Sequence, residues 1–255
     1  MGVYNGQDTI EDSIESILEQ SYRDFEFIII NDGSTDNSEN IIRSYAKADN
    51  RIIFLSQENQ GLTKTLNKAI NLSRGSLIAR QDADDISFPT RLEKQFKAFS
   101  NRPHLKLLGT RGITQYQSFL LESKKIKSED IIRELFKENI FIHSSVMIDK
   151  EAFIELGLYN EEFKVTQDYE AWCRFATSGY QIDILDELLV HRYILEESIS
   201  KNKILLQALN GFKVRKGIIP ISQNIMLFLK QILANILPAP IIKILKKIIN
   251  ISNKI

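Results

Sequence analysis

Residues Leu77 to Asp85 read Leu-Ile-Ala-Arg-Gln-Asp-Ala-Asp-Asp, a short apolar segment that ends in three carboxylates. The apolar part has the length of a buried interior strand of a parallel sheet. Ligands of open α/β sheets bind just beyond the carboxyl ends of strands, which places Asp82, Asp84 and Asp85 at a predicted site. Like charges this close repel one another, and carboxylate oxygens suit a cation such as Mg²⁺ or Mn²⁺. The alternative is a solvated turn before a helix that begins near Pro89, where acidic residues are favoured.

Strands alternate with helices on the N-terminal side of this stretch. Periodic apolar residues predict helices from Asp8 to Gln20, from about Asp36 and from Leu62, and apolar runs predict strands at 25–30 and 52–55. Asp36 and Glu39 have the spacing of a capping box. The alternation over the first 85 residues predicts βαβ units with right-handed crossovers, and hence an α/β fold with a largely parallel central sheet flanked by helices.

The first strand is shorter than this alternation requires. The first helix begins so soon after Met1 that Val3-Tyr4-Asn5 can form only the tail of a strand. Two explanations are open: the true start lies upstream of this sequence, or the sheet lacks one strand. We favour the first.

The second half loses the regular alternation and is predicted to be mixed. After a helix from Pro89, apolar runs predict strands at 105–108 and within 114–121. A helix is expected over about Ser128–Asn139, a strand at the end of 143–148, and a helix after Thr166.

Composition excludes several classes of protein. The 43% hydrophobic and 26% charged residues are typical of a folded globular enzyme, and the single cysteine, Cys173, excludes an internal disulfide and a cysteine zinc cluster. Residues 198–255 hold ten basic and no acidic side chains, which leaves 23 basic against 33 acidic in the first 197. An acidic body is poorly suited to nucleic acid, whereas a basic apolar tail suits an anionic membrane surface.

The tail, residues 201–255, carries two apolar stripes on either side of Pro238-Ala239-Pro240, with lysines interleaved. Lys230 and the prolines interrupt any run long enough to span a bilayer. A basic amphipathic helical hairpin lying in the membrane interface is the favoured interpretation. The alternative is a helical pair that packs on the body or forms a dimer. No secretory signal precedes the body, so a cytoplasmic location on the inner membrane face is expected.

Seven segments in order make the chain similar to bacterial glycosyltransferase family 2, the inverting nucleotide-sugar transferases with the GT-A fold. The resemblance covers about residues 1–200, and seven spaced matches are far more specific than any one of them. It implies a nucleotide-binding half at about 1–110 and an acceptor half at about 111–200. The segments are Val3-Tyr4-Asn5-Gly6, Gln20 to Glu26, Asn31 to Asp36, Asn59-Gln60-Gly61-Leu62, Asp82-Ala83-Asp84-Asp85, His143 to Met147 and Gln167 to Trp172.

The resemblance implies roles for the donor-binding residues. Val3 and Tyr4 would lodge the nucleotide base, with Tyr4 stacked on it, and Asp32 would accept a hydrogen bond from a uracil N–H. Asp84 would hold Mg²⁺ or Mn²⁺ against the donor diphosphate, and Asp82 would contact the ribose or a metal-bound water. Ser34 is also expected among the donor-binding residues. Asp85 is expected to support the site or cap the next helix.

The resemblance also implies the catalytic base. Inversion requires a base on the face of the sugar opposite the leaving group, and by position this is Asp168. Gln167 stands where the family usually has Glu, which removes one negative charge. Asp168 could alternatively cap its helix. His143 would line the site near phosphate or metal, although a lone histidine is more often structural, and Trp172 is expected in the core or in the acceptor wall.

One position near the last strand departs from the family pattern. Many relatives have a histidine just after a Tyr-Arg pair, whereas His191-Arg192-Tyr193-Ile194-Leu195 has an apolar residue there. His191 would replace it only if the register shifts.

The resemblance implies an inverting hexosyl- or hexosaminyltransferase that moves a sugar, most simply from a UDP-sugar, to a lipid-linked or polysaccharide acceptor in cell-surface glycan synthesis. Two alternatives differ in class. A sugar nucleotidyltransferase would need a glycine- and arginine-rich loop with a lysine after the first strand, and residues 3–7 offer none. A catalytically inert nucleotide-sugar-binding or membrane adaptor would bind donor without transferring it.

Overall fold

The computed structural model describes residues 1–194 and 203–236. The chain divides into two compact units between Leu195 and Glu196, and each is described by itself.

Three parallel strands in the order β1-β2-β3 form the first sheet of the larger unit. The middle strand is buried along its whole length because helices cover both faces. Ile29 packs with Ile10 and Ile42 on one face, whereas Ile28 and Ile30 pack with Ala69 on the other. The predicted βαβ alternation is therefore confirmed for the elements β1 Gly2–Val3, α1 Ile10–Leu18, β2 Phe27–Asp32, α2 Ser38–Ala48, β3 Ile52–Gln57 and α3 Leu62–Leu72.

A second, mixed sheet has the order β4-β8-β6-β9-β5, with β7 paired to β6. Its longest strands, β6 and β9, run parallel, whereas β8 runs antiparallel to both β4 and β6. The remaining elements of this unit are β4 Leu77–Ala79, β5 Ile86–Ser87, α4 Arg91–Asn101, β6 Leu105–Tyr116, β7 Phe119–Glu122, α5 Ile131–Leu135, β8 Met147–Asp149, α6 Lys150–Glu155, α7 Gln167–Thr177 and β9 Gln181–Tyr193.

The prediction that Leu77–Ala79 is a buried interior strand of the parallel sheet is wrong. This strand, β4, pairs antiparallel with β8, and Ala79 is exposed. The parallel sheet ends at β3 because the partner of β4 comes from the second half of the chain. An apolar run has the same appearance in either kind of sheet, so its sequence did not reveal the partner.

Three other local predictions need correction. The Asp36–Glu39 capping box does not form, because the Glu39 carboxylate accepts hydrogen bonds from Asn31, Ser56 and Arg43. The helix expected over 128–139 is a 3₁₀ turn followed by the short α5. Helix α6 was not predicted.

The second unit contains two helices, α8 Ile204–Arg215 and α9 Ile221–Ile236. They pack against each other: Asn224 donates to the Phe212 carbonyl at 2.9 Å, and the Phe212 and Phe228 rings lie 5.6 Å apart. Residues 237–255, which include the second predicted apolar stripe, lie outside the described residues. Of the helices in the described ranges, none combines the length and apolarity needed to cross a membrane.

Glycine is required where β6 and β9 approach each other closely. A Cβ on Gly112 would lie 2.7 Å from the Val190 carbonyl oxygen and 2.6 Å from Cδ1 of Ile142. The carbonyl belongs to a paired strand and cannot move aside, so β6 and β9 meet at this point only if residue 112 has no side chain.

We expect Gly112→Ala to lower the free energy of unfolding by about 1–3 kcal/mol, because the added methyl overpacks the β6–β9 interface. Urea denaturation measures this as a lower midpoint at unchanged slope. Gly75→Ala is the matched control, since its nearest neighbour would be 3.4 Å away. Equal midpoints for the two variants would contradict the argument.

Candidate active site

The acidic loop between β4 and β5 is closed by the buried side chain of Gln81. Its amide nitrogen donates to the Asp85 carbonyl at 2.6 Å and to the Ser13 hydroxyl at 2.9 Å, while its amide oxygen accepts from the Ser87 hydroxyl. Ala83, in the middle of the loop, packs against the apolar core under α1. The loop therefore has a fixed shape, with Asp82 and Asp84 on either side of an anchored alanine.

Arg91, at the start of α4, is fully buried behind this loop. Its guanidinium donates to the Arg80 carbonyl at 2.7 Å, to the Gln81 side chain at 3.1 Å and to the Ser87 hydroxyl at 2.7 Å. It also donates to the Ser144 carbonyl, on a different segment of the chain. Burial lowers the pKa of Arg91 to about 9, so it remains a cation at neutral pH. The planar fork of one arginine thus joins the acidic loop to the turn that contains Ser144.

That turn is the 3₁₀ segment His143–Ser145. The Ser144 hydroxyl donates to the Asp85 carboxylate, whose other oxygen accepts from the Tyr193 backbone N–H at 3.1 Å. His143 projects toward the loop, with its Nδ1 4.0 Å from the Asp82 carboxylate. The expectation that Asp85 caps the next helix is therefore wrong, because the carboxylate is occupied within the site. It acts as an internal support for the loop.

The three neighbouring carboxylates differ in electrostatic environment. Burial raises the pKa of Asp82, but the ion pair with Arg80, together with His143, holds it below its ordinary value. Burial, and then the charge of Asp82, raises the pKa of Asp84 to about 6. Burial and the two neighbouring acids raise the pKa of Asp85 to about 8. Asp82 is thus the stable anion of the three. In Asp84 and Asp85 the ionised form is destabilised by burial and by the neighbouring negative charges.

Asp84 has the properties of a cation ligand. Within the described residues, the hydrogen bond that lowers its pKa comes from its own backbone N–H, and Arg80 and Arg192 offset its raised pKa only in part. A divalent cation would relieve this stress, and hard carboxylate oxygens suit Mg²⁺ or Mn²⁺. The described residues contain no cluster of three or more His, Cys, Asp and Glu arranged to hold a metal. A cation here would need further oxygens from water or substrate phosphates, which is how Mg²⁺ commonly binds.

Asp168 lies in the first turn of α7. Its carboxylate accepts a hydrogen bond from the Asn139 side chain at 2.7 Å. Thr166, not Asp168, occupies the N-cap position, with a left-handed φ of 64° that directs the chain into the helix. The negative charge of Asp168 acts on His143 and Tyr159, as does that of Asp82. Asp168 therefore faces the same group of residues as the acidic loop.

The charges of both Asp82 and Asp168 act on His143. Its Nε2 is 2.9 Å from the Tyr159 hydroxyl, and burial, followed by the charge of Arg80, lowers its pKa. The imidazole is therefore neutral at pH 7. Trp172 packs edge-on behind it at 6.1 Å and is fully buried, while Gln167 is almost fully buried. Of the two positions expected for Trp172, the structure supports the core, because the ring is fully buried and packs against His143 from the core side.

The carboxyl end of β1 adjoins the acidic loop. A Cβ placed on Gly6 would lie 3.6 Å from the Cβ of Ala83. Tyr4 is exposed, and the Ser34 hydroxyl accepts the Asn5 backbone N–H at 3.0 Å. The Val3 side chain is buried in the core, so only its backbone can face a ligand.

Asp32 is buried and its carboxylate already has three partners. It accepts from the Gln57 side chain at 2.7 Å and from the backbone N–H groups of Gln60 and Gly61, both at 2.9 Å. These bonds fix the loop before α3. A contact with a nucleotide base would have to be added to them or replace one of them.

Sequence reasoning missed several residues that build this site. Arg80 stands within the quoted stretch, where its proximity to three acids could have been used as a signal. Tyr159, Asn139 and Arg91 carry no such signal, because their partners come from distant segments. His191 stacks on Tyr193 with ring centres 4.4 Å apart and pairs across the sheet with Ile86.

Comparisons with known proteins identify a family for the chain. The family described as glycosyl transferase family 2 matches residues 1–157. An uncharacterized glycosyltransferase of Methanocaldococcus jannaschii is 37% identical over 85% of this chain and 77% of its own length. The O-antigen biosynthesis glycosyltransferase WbnJ of Escherichia coli is 32% identical over 85% of this chain and 86% of its own.

Solved structures share the fold at low sequence identity. The mannosyltransferase PcManGT of Pyrobaculum calidifontis, in complex with GDP-Man and Mn²⁺, has a TM-score of 0.67 at 15% identity over 98% of this chain and 78% of that chain. Residues 1–349 of TarS of S. aureus, in complex with UDP-GlcNAc, have a TM-score of 0.68 at 16% identity over 91% and 71%. The fold is therefore that of the GT-A glycosyltransferases, as predicted.

The raised pKa values predict a pH-dependent stability in a chelating buffer. The folded protein keeps the Asp84 proton up to about pH 6, whereas the unfolded chain releases it near its ordinary value of 3.8. Between these values the folded state binds more protons, so rising pH destabilises it. We therefore expect Asp84→Asn to be more stable than wild type by a margin that grows from about pH 4 to about pH 6 and then levels off.

Chemical denaturation at a series of pH values measures this margin. Glu58→Gln, which alters an exposed carboxylate after β3, is the control and should show no such growth. A margin for Asp84→Asn that stays constant or shrinks would contradict the assigned environment of Asp84.

Proposed function

The chain belongs to glycosyltransferase family 2, and on this premise we propose that it is an inverting enzyme with Asp84 as cation ligand and Asp168 as catalytic base. The observation that carries the proposal is the arrangement around His143. Asp82 lies 4.0 Å from one ring nitrogen, and the charge of Asp168 acts on the same ring. Acids from two separate segments that act on one histidine match a reaction that needs a cation at the leaving group and a base at the acceptor.

On the donor side, Asp84 and Asp82 would hold Mg²⁺ or Mn²⁺ against the diphosphate of a nucleotide sugar, most simply a UDP-sugar. The cation would neutralise the charge that develops on the diphosphate as the glycosidic bond breaks. Tyr4 and the Val3 backbone would contact the base, and Ser34 would lie beside them. This assigns donor binding to about residues 1–110.

On the acceptor side, the Asp168 carboxylate would remove the proton from the acceptor hydroxyl as that oxygen attacks the anomeric carbon from the face opposite the diphosphate. Asn139 keeps the carboxylate in place through its hydrogen bond at 2.7 Å. Neutral His143, held by Tyr159, would line the space between base and diphosphate without adding a competing charge. Gln167 is nearly buried at the first position of α7. We therefore expect it to affect Asp168 by its place in the helix and not by contacting the acceptor.

The acceptor is proposed to be a lipid-linked sugar or a growing polysaccharide in cell-surface glycan synthesis. Relatives named for O-antigen and teichuronic acid biosynthesis support this class. We further propose that the enzyme works at the cytoplasmic face of the membrane, with the basic apolar tail, residues 201–255, as one peripheral contact.

Substituting Asp168→Asn should lower the rate of sugar transfer by about 10²–10⁴, the usual contribution of a positioned general base, while donor binding survives. The amide keeps the shape of the side chain and can still pair with Asn139. Glu151→Gln, another acid in the first turn of a helix, is the control and should keep its transfer rate. Unchanged transfer by Asp168→Asn would overturn the assignment of the base.

Donor binding, and not the rate of sugar transfer, tests the proposed role of the metal. A UDP-sugar at ~100 times its Kd should stabilise the wild-type protein by about 2.7 kcal/mol in thermal unfolding with Mn²⁺ present. Chelator, or Asp84→Asn, should remove most of this gain, whereas Asp168→Asn should retain it. A donor-induced gain that persists without metal would contradict the role of Asp84.

A further inference from the structure

The hairpin formed by β6 and β7 ends in an exposed apolar tip. Gln117, with a φ of 52°, makes the tight turn, and β7 begins at once with Phe119. Phe119, Leu120 and Leu121 are 70%, 64% and 72% exposed. Successive strand residues point to opposite faces, so both faces of this narrow ribbon are apolar.

The tip stands at the end of the sheet that carries the site. Before the turn, Gln115 of β6 pairs with Tyr193 of β9, and its carbonyl accepts the Ile194 N–H at 2.9 Å. The Tyr193 N–H in turn donates to the Asp85 carboxylate. The hairpin therefore extends beyond the strand ends that contact the acidic loop.

The chain that leaves the tip is basic. Lys124, Lys125 and Lys127 are 81%, 70% and 79% exposed. Their ion pairs with exposed carboxylates span 2.9 to 3.7 Å, and such surface pairs contribute little. Lipid phosphates could replace these partners at small cost. The segment 116–127 contains these three lysines and one acid, Glu122.

We propose that the tip, Phe119–Leu121, inserts into the interfacial layer of an anionic lipid bilayer, with the three lysines at its phosphate level. Phe119 and Leu121 lie on one face of the ribbon, and Leu120 lies on the other. A protein partner, or a second copy of the chain that pairs along β7, would cover one of these faces and leave the other in water. A bilayer surrounds both faces, and basic residues beside an apolar wedge are the composition that binds anionic interfaces. The inference rests on the proposed function in one respect: an active site held at a bilayer suits a lipid-linked acceptor.

A tryptophan at the tip tests insertion directly and independently of the tail. The full chain has one native tryptophan, Trp172, which is fully buried. In the Phe119→Trp variant, the fluorescence of the new tryptophan should be strongly quenched by vesicles of brominated phosphatidylcholine and phosphatidylglycerol. Ile154→Trp, on the exposed face of α6, is the matched control and should not be quenched. Absence of quenching at position 119, or equal quenching at both positions, would overturn the proposal.

A second variant measures the contribution of the tip to binding. Replacing Phe119, Leu120 and Leu121 by serine should lower the vesicle partition coefficient roughly tenfold or more, since several apolar side chains no longer leave water. Serine at three exposed apolar positions elsewhere, Leu72, Ile132 and Ile154, is the control and should leave partitioning unchanged. Equal loss in both sets would overturn the proposal, as would self-association of the wild type that the tip variant abolishes.

The metal-dependent donor stabilisation should be the same in all these variants. Its retention separates the two claims: a tip that fails to insert leaves the glycosyltransferase assignment intact, and a failure of donor binding in wild type would concern the assignment and not the tip.

Discussion

The geometry of the candidate active site depends on one buried side chain, the positively charged guanidinium of Arg91. Arg91 is completely removed from solvent, yet it donates to no carboxylate in the structure described; its partners are two backbone carbonyls, two side-chain amides and one hydroxyl. The charge of Asp82, and that of Asp85 when it is ionised, act on it through space. A buried charge is costly unless its donors are satisfied, and here the donors are satisfied by the loop and the turn that the site requires. The guanidinium thus supplies both geometry and a positive potential behind three acids.

This arrangement explains how three acids within four residues can have different roles. Asp82 is paired with Arg80 and faces His143, whereas Asp85 is held inside by Ser144 and Tyr193. Asp84 is left with a raised pKa and, among the residues that the structure describes, has no comparable partner. A bound cation would stabilise the ionised form of that carboxylate, which burial and Asp82 now destabilise.

The sequence predicted the parts of the fold that depend on local periodicity. Ile10, Ile14 and Ile17 identified α1, and the buried run from Phe27 identified β2. The direction of β4 could not be predicted, because its partner β8 lies about 70 residues away and an apolar run does not encode orientation. The capping role considered for Asp85 failed for the same reason, since its hydrogen-bond partners are Ser144 and Tyr193. The direction of β4 and the role of Asp85 both depend on partners that are distant along the chain, and a single sequence does not identify those partners.

The central claim is that Asp84 holds the donor's cation opposite the Asp168 base. A crystal structure with Mn²⁺ and UDP, with the metal located by its anomalous scattering, tests this most directly. The account predicts a manganese peak within coordination distance of an Asp84 carboxylate oxygen and of both phosphates, with Asp168 on the other side of His143. A peak coordinated by other protein residues, with the Asp84 carboxylate turned away from the diphosphate, would contradict it.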